Sequence, residues 1–184
     1  MVASPRYALV AYLKNPVGEF VEQLRRELHP HLPHLAAHLT VLPPRSIPDE
    51  ASAIAMLQQI CAETEPFEVH LGEVETFIPV TPTVFIRVAH AHRMLELHNR
   101  LSASAILAGQ EEWPYLPHLT IAKMSTEAEA QNGYLLARRH WAEFEGSRSV
   151  ELSGLTFVRE ARENHWLDLA EVPLGPRLVS PHSR

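Results

Sequence analysis

The amino-acid sequence predicts one globular domain of mixed helices and strands, assembled from two copies of the same unit. A segment with the pattern His, apolar, Thr, apolar occurs twice, at residues 38–41 and 118–121. The elements predicted around the two segments follow the same order. The chain has 184 residues, 46% of them hydrophobic, which is enough to bury a sizeable core in a single domain.

The first unit extends over about residues 7–78. Runs of β-forming residues predict strands, and apolar residues repeating every three or four positions predict helices. The two prolines of Pro43-Pro44-Arg45 predict a sharp exit from the first His-x-Thr strand, and Asp49 is the expected N-cap of the next helix. In order, the predicted elements are a strand at 7–13, a helix at 19–28, the His-x-Thr strand, a helix at 49–62 and a strand pattern at 67–78.

The second unit repeats this order over about residues 83–158. Apolar residues from Met94 to Ala105 predict its first helix, and Gly109 is the expected stop signal. A further strand at 165–172 closes the chain. The predicted elements of this unit are a strand at 83–88, the helix through Met94, the second His-x-Thr strand, a helix at 127–141 and strands near 150–158.

This order indicates an internal duplication, because the fifth elements also share a pattern of apolar residues and threonines. Duplicated units commonly pack about an approximate two-fold axis, so we expect the two His-x-Thr strands to face one another across a cleft. That packing would bring histidines about eighty residues apart within reach of one phosphate group.

The His-x-Thr pattern indicates acid–base chemistry. In a strand, His38 and Thr40 share one face and His118 and Thr120 share another, while the leucines point into the core. Of two imidazoles near neutral pH, one can act as base and the other as acid, and the threonine hydroxyls can donate to phosphoryl oxygens. This chemistry needs neither a metal nor a cofactor. A single such pattern is more often the polar face of an ordinary strand, but its duplication favours a site.

At these motifs the chain resembles the 2H phosphoesterase superfamily, which includes bacterial 2′-5′ RNA ligase-like proteins and 2′,3′-cyclic nucleotide phosphodiesterases. The segments Leu42-Pro43-Pro44 and Tyr115-Leu116-Pro117, which flank the motifs, belong to the resemblance. It extends from the first strand to residues 166–174.

The resemblance implies an α+β fold of two pseudo-symmetric lobes within a single domain at 1–184, with two antiparallel sheets lining a central cleft and helices outside. It also implies metal-independent phosphodiester chemistry on 2′,3′-cyclic phosphates or 2′-5′ linkages, catalysed by His38, Thr40, His118 and Thr120. Our hypothesis is that His118 activates water and His38 protonates the leaving oxygen. The reverse assignment stays open.

Four further residues are candidates for substrate binding. Arg45 and Lys123 follow the two motifs and could contact phosphate or ribose from the rim of the cleft, or be solvated charges at loop ends. Tyr115 could stack on a nucleobase or pack against the adjacent loop. Arg159 stands near a position where the family often has a small polar residue, which leaves substrate contacts in that strand open.

Charge and cysteine content narrow the expected partners. The net charge of −6 argues against a broad electrostatic grip on long nucleic acid, so we expect a small nucleotide or an RNA end carrying a cyclic phosphate. The single cysteine, Cys61, fits a buried core residue and a cytoplasmic location. No membrane segment or obligate protein partner is expected, and the three histidines of residues 29–34 indicate a solvated loop. A nucleotide or RNA-end binder without turnover, and a structural interaction domain, are the alternatives to an enzyme.

Overall fold

The computed structural model describes residues 5–28 and 35–176. Within these ranges the chain forms four helices and eight strands. The helices are α1 (Val17–Leu28), α2 (Glu50–Ala62), α3 (His92–Ser102) and α4 (Glu127–Glu143). The strands are β1 (Arg6–Tyr12), β2 (His38–Ser46), β3 (Phe67–Thr76), β4 (Thr83–Ala89), β5 (His118–Lys123), β6 (Ser149–Leu152), β7 (Gly154–Arg162) and β8 (His165–Pro173).

The strands form one antiparallel sheet in the order β6-β3-β4-β5-β2-β1-β7-β8. The predicted α+β class is confirmed. We predicted two separate sheets, whereas the described strands belong to a single one. Its centre is a narrow joint, because Leu39 and Leu119 are the one pair of described residues in register between β2 and β5. The sheet therefore consists of two four-stranded halves that meet at the His-x-Thr strands.

The strand order is the same outward from this joint on either side. From the joint outward, one half has the order β5, β4, β3 and the other has the order β2, β1, β7. In each half, the motif strand is followed by the strand that opens the same repeat. The third strand closes the other repeat. Thus β3 pairs with β4, and β7 pairs with β1. The pairing of β3 with β4 follows from the short turn between them, since a tight connection makes consecutive strands antiparallel neighbours. The two predicted repeats, 7–78 and 83–158, are consequently interlocked in space.

Helices α1 and α3 also connect the two repeats, because each covers a strand of the other repeat. Helix α1 packs on β5 and α3 packs on β2, so each motif strand is covered by a helix of the other half. Their apolar faces, which include Val21 and Leu24 of α1 and Leu97 and Leu101 of α3, are buried in the main core. Burial of such faces supplies most of the stability of helices of this length.

The helix limits follow the predicted caps with one exception. The Asp49 side chain accepts from Ser52 N, which confirms the predicted N-cap of α2. Helix α3, however, ends at Ser102, so Ala105 lies outside it and Gly109 is not its stop signal. Gly109 instead lies against Arg45: a Cβ at this glycine would be 3.1 Å from the Arg45 Cδ, closer than most Cβ contacts in proteins.

The predicted exit at Pro43-Pro44-Arg45 is also wrong, because β2 continues to Ser46. Leu9 pairs with Leu42 and Tyr7 pairs with Arg45, so a single residue of β1 opposes both prolines. Such a β-bulge accommodates prolines, since the residues in it need not donate to the ladder.

Three other predictions concern the cysteine, membrane-spanning helices and the histidine-rich segment. Cys61 is buried and unpaired, as predicted, and burial raises the pKa of its thiol to about 12. In the described part of the chain, no helix combines the length and apolar character needed to cross a membrane. The histidine-rich segment 29–34 lies outside the described residues.

Candidate active site

The two His-x-Thr motifs lie side by side at the central joint. Leu39 and Leu119 are in register and completely buried. Because side chains alternate along a strand, the histidine and threonine of each motif point to the face of the sheet opposite to these leucines. Extending the antiparallel register by one residue aligns His38 with Thr120 and aligns Thr40 with His118. All four predicted catalytic residues therefore share one face of the sheet at the joint.

Each histidine is held by a backbone carbonyl two residues before it. His38 Nδ1 lies 2.7 Å from Ala36 O, and His118 Nδ1 lies 2.7 Å from Leu116 O. A carbonyl oxygen only accepts, so Nδ1 carries the proton in both rings and Nε2 is the atom that exchanges protons. The two imidazoles are thus presented in the same tautomer.

Burial disfavours the charged form of both imidazoles. Burial lowers the pKa of His38 to about 4, opposed by the bond to Ala36 O and assisted by the charges of Arg25 and His118. Burial also lowers the pKa of His118, opposed by the bond to Leu116 O and assisted by the charge of Lys123. An anionic phosphate between the rings would favour protonation of one of them.

The backbone of β5 is held by a buried arginine from α1. Arg25 is 6% exposed, and it donates from Nη2 to Thr120 O at 2.8 Å and from Nε to Ile121 O at 3.3 Å. Its Nη1 donates to Leu35 O at 2.7 Å and pairs with Glu22 at 3.0 Å. The guanidinium therefore fixes the second motif from the first half of the chain.

The backbone of β2 is held from α3 in a corresponding way. His98 Nδ1 lies 2.9 Å from Val41 O. The His98 ring stacks on Tyr115 with centroids 3.8 Å apart and an interplanar angle of 10°, and the Tyr115 hydroxyl donates to Thr40 O at 2.8 Å. The ring of Tyr115, a candidate for stacking on a nucleobase, packs within the protein on His98.

The three remaining predicted residues have different surroundings. Arg45 is 6% exposed and donates to Pro43 O, Leu107 O and Glu111, so it is neither a solvated charge nor a free cation at a rim. Lys123 is exposed, and its charge acts on His118. Arg159 pairs with Glu50 at 3.1 Å and links β7 to the first turn of α2.

A tyrosine that was not predicted lies beside His38. Tyr12 is in register with His38, and their rings meet edge to face with centroids 6.4 Å apart. The Tyr12 hydroxyl donates to Asp168 Oδ1 at 2.6 Å. Burial and the Asp168 carboxylate raise the pKa of Tyr12.

Two phenylalanines and an ion pair that were not predicted lie beside His118. Phe77 and Phe85 stack on one another at 4.0 Å and contact the His118 ring at 5.0 and 5.2 Å. Arg87, in register with His118, pairs with Glu75 at 2.8 Å. Aligning each motif with the strand that opens its unit would have identified Tyr12, Phe85 and Arg87 from the sequence.

Comparison with known proteins identifies the family. The family model of the 2′-5′ RNA ligase superfamily matches residues 13–164. The chain belongs to this superfamily. The predicted resemblance to the 2H phosphoesterases is therefore confirmed, and the chain is a member of a phosphoesterase family.

Relatives and solved structures agree with this assignment. A protein of Bacillus cytotoxicus that carries a phosphoesterase name is 24% identical over 157 residues, which cover 84% of this chain and 90% of the relative. Another relative with a phosphoesterase name, from Oceanobacillus iheyensis, is 28% identical over 120 residues, which cover 64% of this chain and 70% of the relative.

Two crystal structures share the fold of this chain. TT0787 of Thermus thermophilus has a TM-score of 0.63 and 15% identity, covering 94% of this chain and 99% of that one. E. coli LigT complexed with NADP+ has a TM-score of 0.62 and 17% identity, covering 93% of this chain and 99% of LigT.

Proposed function

We propose that this member of the superfamily is a metal-independent cyclic phosphodiesterase. Its substrates are 2′,3′-cyclic phosphate ends of nucleotides or short RNA, which it hydrolyses to 2′-phosphates, and 2′-5′ linkages are a second substrate class. The observation that carries the proposal is the meeting of the two motifs at the joint, where two imidazoles of the same tautomer and two hydroxyls share one face. The mildly acidic chain favours short substrates.

The reaction is an in-line displacement at phosphorus. The neutral histidine takes a proton from water at Nε2 while the water oxygen bonds to phosphorus. The bond between phosphorus and the ribose 3′-oxygen breaks, and the protonated histidine gives its proton to that oxygen. The products are a 2′-phosphate and a free 3′-hydroxyl.

The threonines and the backbone contacts support this step. Thr40 and Thr120 would donate to the non-bridging oxygens, where negative charge accumulates. The carbonyls of Ala36 and Leu116 fix the ring orientations, which contributes to the rate through positioning. We assign His118 as base and His38 as acid. The reverse assignment uses the same geometry, because each ring has Nδ1 on a backbone carbonyl and leaves Nε2 to exchange protons.

Turnover of the four 2′,3′-cyclic nucleoside monophosphates tests the proposal, with the position of the product phosphate read by phosphorus NMR. We expect His38→Ala and His118→Ala each to lower kcat by about 10² to 10⁴-fold. His92→Ala is the matched control, because His92 Nδ1 also contacts a carbonyl two residues earlier but the ring is exposed on α3. Binding of these nucleotides without turnover by the unmodified protein would support the alternative of a catalytically weak nucleotide or RNA-end binder.

A further inference from the structure

The surface beside His38 carries a carboxylate that the proposed reaction does not use. Asp168 is exposed on β8, and its Oδ1 accepts from the Tyr12 hydroxyl. Within the described residues, Asp168 forms no ion pair with a cation. Beside His118, by contrast, the Glu75 carboxylate is paired with Arg87, and Lys123 adds a further positive charge.

This difference gives the two ends of the site opposite exposed charges, with Asp168 beside His38 and Lys123 beside His118. An unpaired carboxylate repels a phosphodiester, whereas Lys123 attracts one. The phosphate-bearing part of a substrate therefore fits the His118 half. The part that fits the Asp168 side must offer hydrogen-bond donors and carry little negative charge, which describes a nucleobase.

The aromatic side chains next to Asp168 suit a planar group. Ala8, Val10 and Val158 form a small buried cluster, and the half-exposed rings of Tyr12 and Trp166 pack against it. In register, Val10 pairs with Thr40 and Tyr12 pairs with His38, so this cluster lies on the same face of the sheet as the motif. Aromatic rings held in this way stack on bases with little ordering cost.

A carboxylate that already accepts from a tyrosine has acceptor sites left but no donor. Among the four bases, guanine alone presents two adjacent N–H donors, N1–H and the exocyclic amine, on its Watson–Crick edge. The other three bases present a donor beside an acceptor on that edge, and the acceptor would face the carboxylate.

We propose that Asp168, positioned by Tyr12, binds the Watson–Crick edge of guanine in the nucleotide that carries the scissile phosphate. This inference rests on the proposed function for the placement of the phosphate, and it adds a base preference that the motif itself does not specify. Sites that hydrogen-bond a substrate donor discriminate strongly against analogues without it.

The test compares guanosine with inosine, which lacks only the exocyclic amine. We expect kcat/KM for the 2′,3′-cyclic phosphate of guanosine to be about tenfold higher than for that of inosine, because one hydrogen bond to a charged acceptor is lost. The difference from the uridine substrate should be larger. Asp168→Asn should bring the guanosine-to-inosine ratio close to one, and Tyr12→Phe should lower it partly. Glu171→Gln, which removes an exposed carboxylate from the same strand, is the matched control and should keep the full ratio.

Binding of the 2′-monophosphates of guanosine, inosine and uridine, measured by calorimetry, separates this inference from the reaction. A preference for guanosine that Asp168→Asn removes would support the base site even if no cyclic nucleotide were hydrolysed, in which case only the proposed function would fail. Equal kcat/KM values and equal affinities for guanosine and inosine would overturn the inference. An equal effect of Asp168→Asn on all bases would also overturn it, because it would indicate a contact with ribose.

Discussion

The halves of the site around His38 and His118 share their backbone framework and differ in their surroundings. In both, a carbonyl two residues earlier holds the imidazole, and a buried side chain from a helix of the other half holds the strand carbonyls. The framework side chains differ in type, since the Arg25 guanidinium acts in one half and the aromatic rings of His98 and Tyr115 act in the other. The matching strand order on either side of the joint thus preserves the geometry of the motif, while the surrounding side chains differ.

The largest expected effect tests whether the two histidines act as one unit. If one is the acid and the other the base of a single step, the double variant His38→Ala with His118→Ala should lose little more kcat than either single variant, each about 10² to 10⁴-fold. Steady-state kinetics of cyclic nucleotide hydrolysis measure this. Multiplying losses would contradict a shared step.

The second-largest loss of kcat is expected from the two threonines of the motifs. Thr40→Val and Thr120→Val preserve shape and remove one donor each, so we expect kcat to fall by about 10² to 10³-fold with a smaller change in KM. Similar losses in both variants would show that the two halves contribute equally to stabilising the charge on phosphorus. A loss confined to one variant would instead indicate that only one hydroxyl contacts the phosphoryl group.

The two backbone contacts should differ in their contribution to stability. Arg25→Met removes a buried cation that satisfies Thr120 O and Ile121 O, so the free energy of unfolding should fall by about 3 to 5 kcal/mol. His98→Phe keeps a ring beside Tyr115 and leaves Val41 O without its donor, which should cost about 1 to 3 kcal/mol. Urea denaturation followed by circular dichroism gives both values. A larger loss in His98→Phe than in Arg25→Met would reverse this ranking.

Protonation of the buried imidazoles predicts a pH dependence of stability. The pKa of His38 is lowered to about 4 from 6.5, so between these values the unfolded chain binds more protons than the folded one. The free energy of unfolding should therefore decrease as the pH falls from about 6.5 to about 4. In His38→Gln the slope over this window should be shallower, and His118→Gln should also reduce it because its pKa is lowered as well. Unchanged slopes would show that these rings titrate normally.

The smallest effect is expected at Arg159. Its pairing with Glu50 is partly exposed, so Arg159→Gln should change the free energy of unfolding by about 1 kcal/mol or less. A rise in KM for cyclic nucleotides without loss of stability would show instead that Arg159 leaves Glu50 to contact the substrate. The measurement therefore decides between a structural contact and the predicted role in substrate binding.

Local pattern in the sequence was sufficient for most elements, and the misses have physical causes. Asp49 was recognised as an N-cap because capping depends on residues within one turn. Pro43 and Pro44 predict an exit from the strand, because the bulge that accommodates them depends on the register with β1, which the local sequence does not encode. Gly109 has the position of a helix stop in the sequence, but in the structure it packs closely against the Arg45 side chain, which comes from β2.

The candidate site residues also divide into those set by local sequence and those set by contacts between distant segments. The four motif residues could be found because their spacing encodes which face of a strand they occupy. Arg45 and Tyr115 were expected near substrate because they follow or precede the motifs, but their partners Glu111 and His98 come from segments that only the folded chain brings close. Phe77 and Asp168 escape prediction for the same reason, whereas an alignment of the first motif with β1 identifies Tyr12.

The sequence alone determined the duplicated order of elements, the two His-x-Thr motifs and the family, because these depend on local periodicity and on residue identity. Only the tertiary structure decided that the repeats interlock, that a single sheet with a narrow joint replaces two sheets, and that charge differs between the halves of the site. These features arise from contacts between residues far apart in the chain, and spacing along the sequence does not encode them.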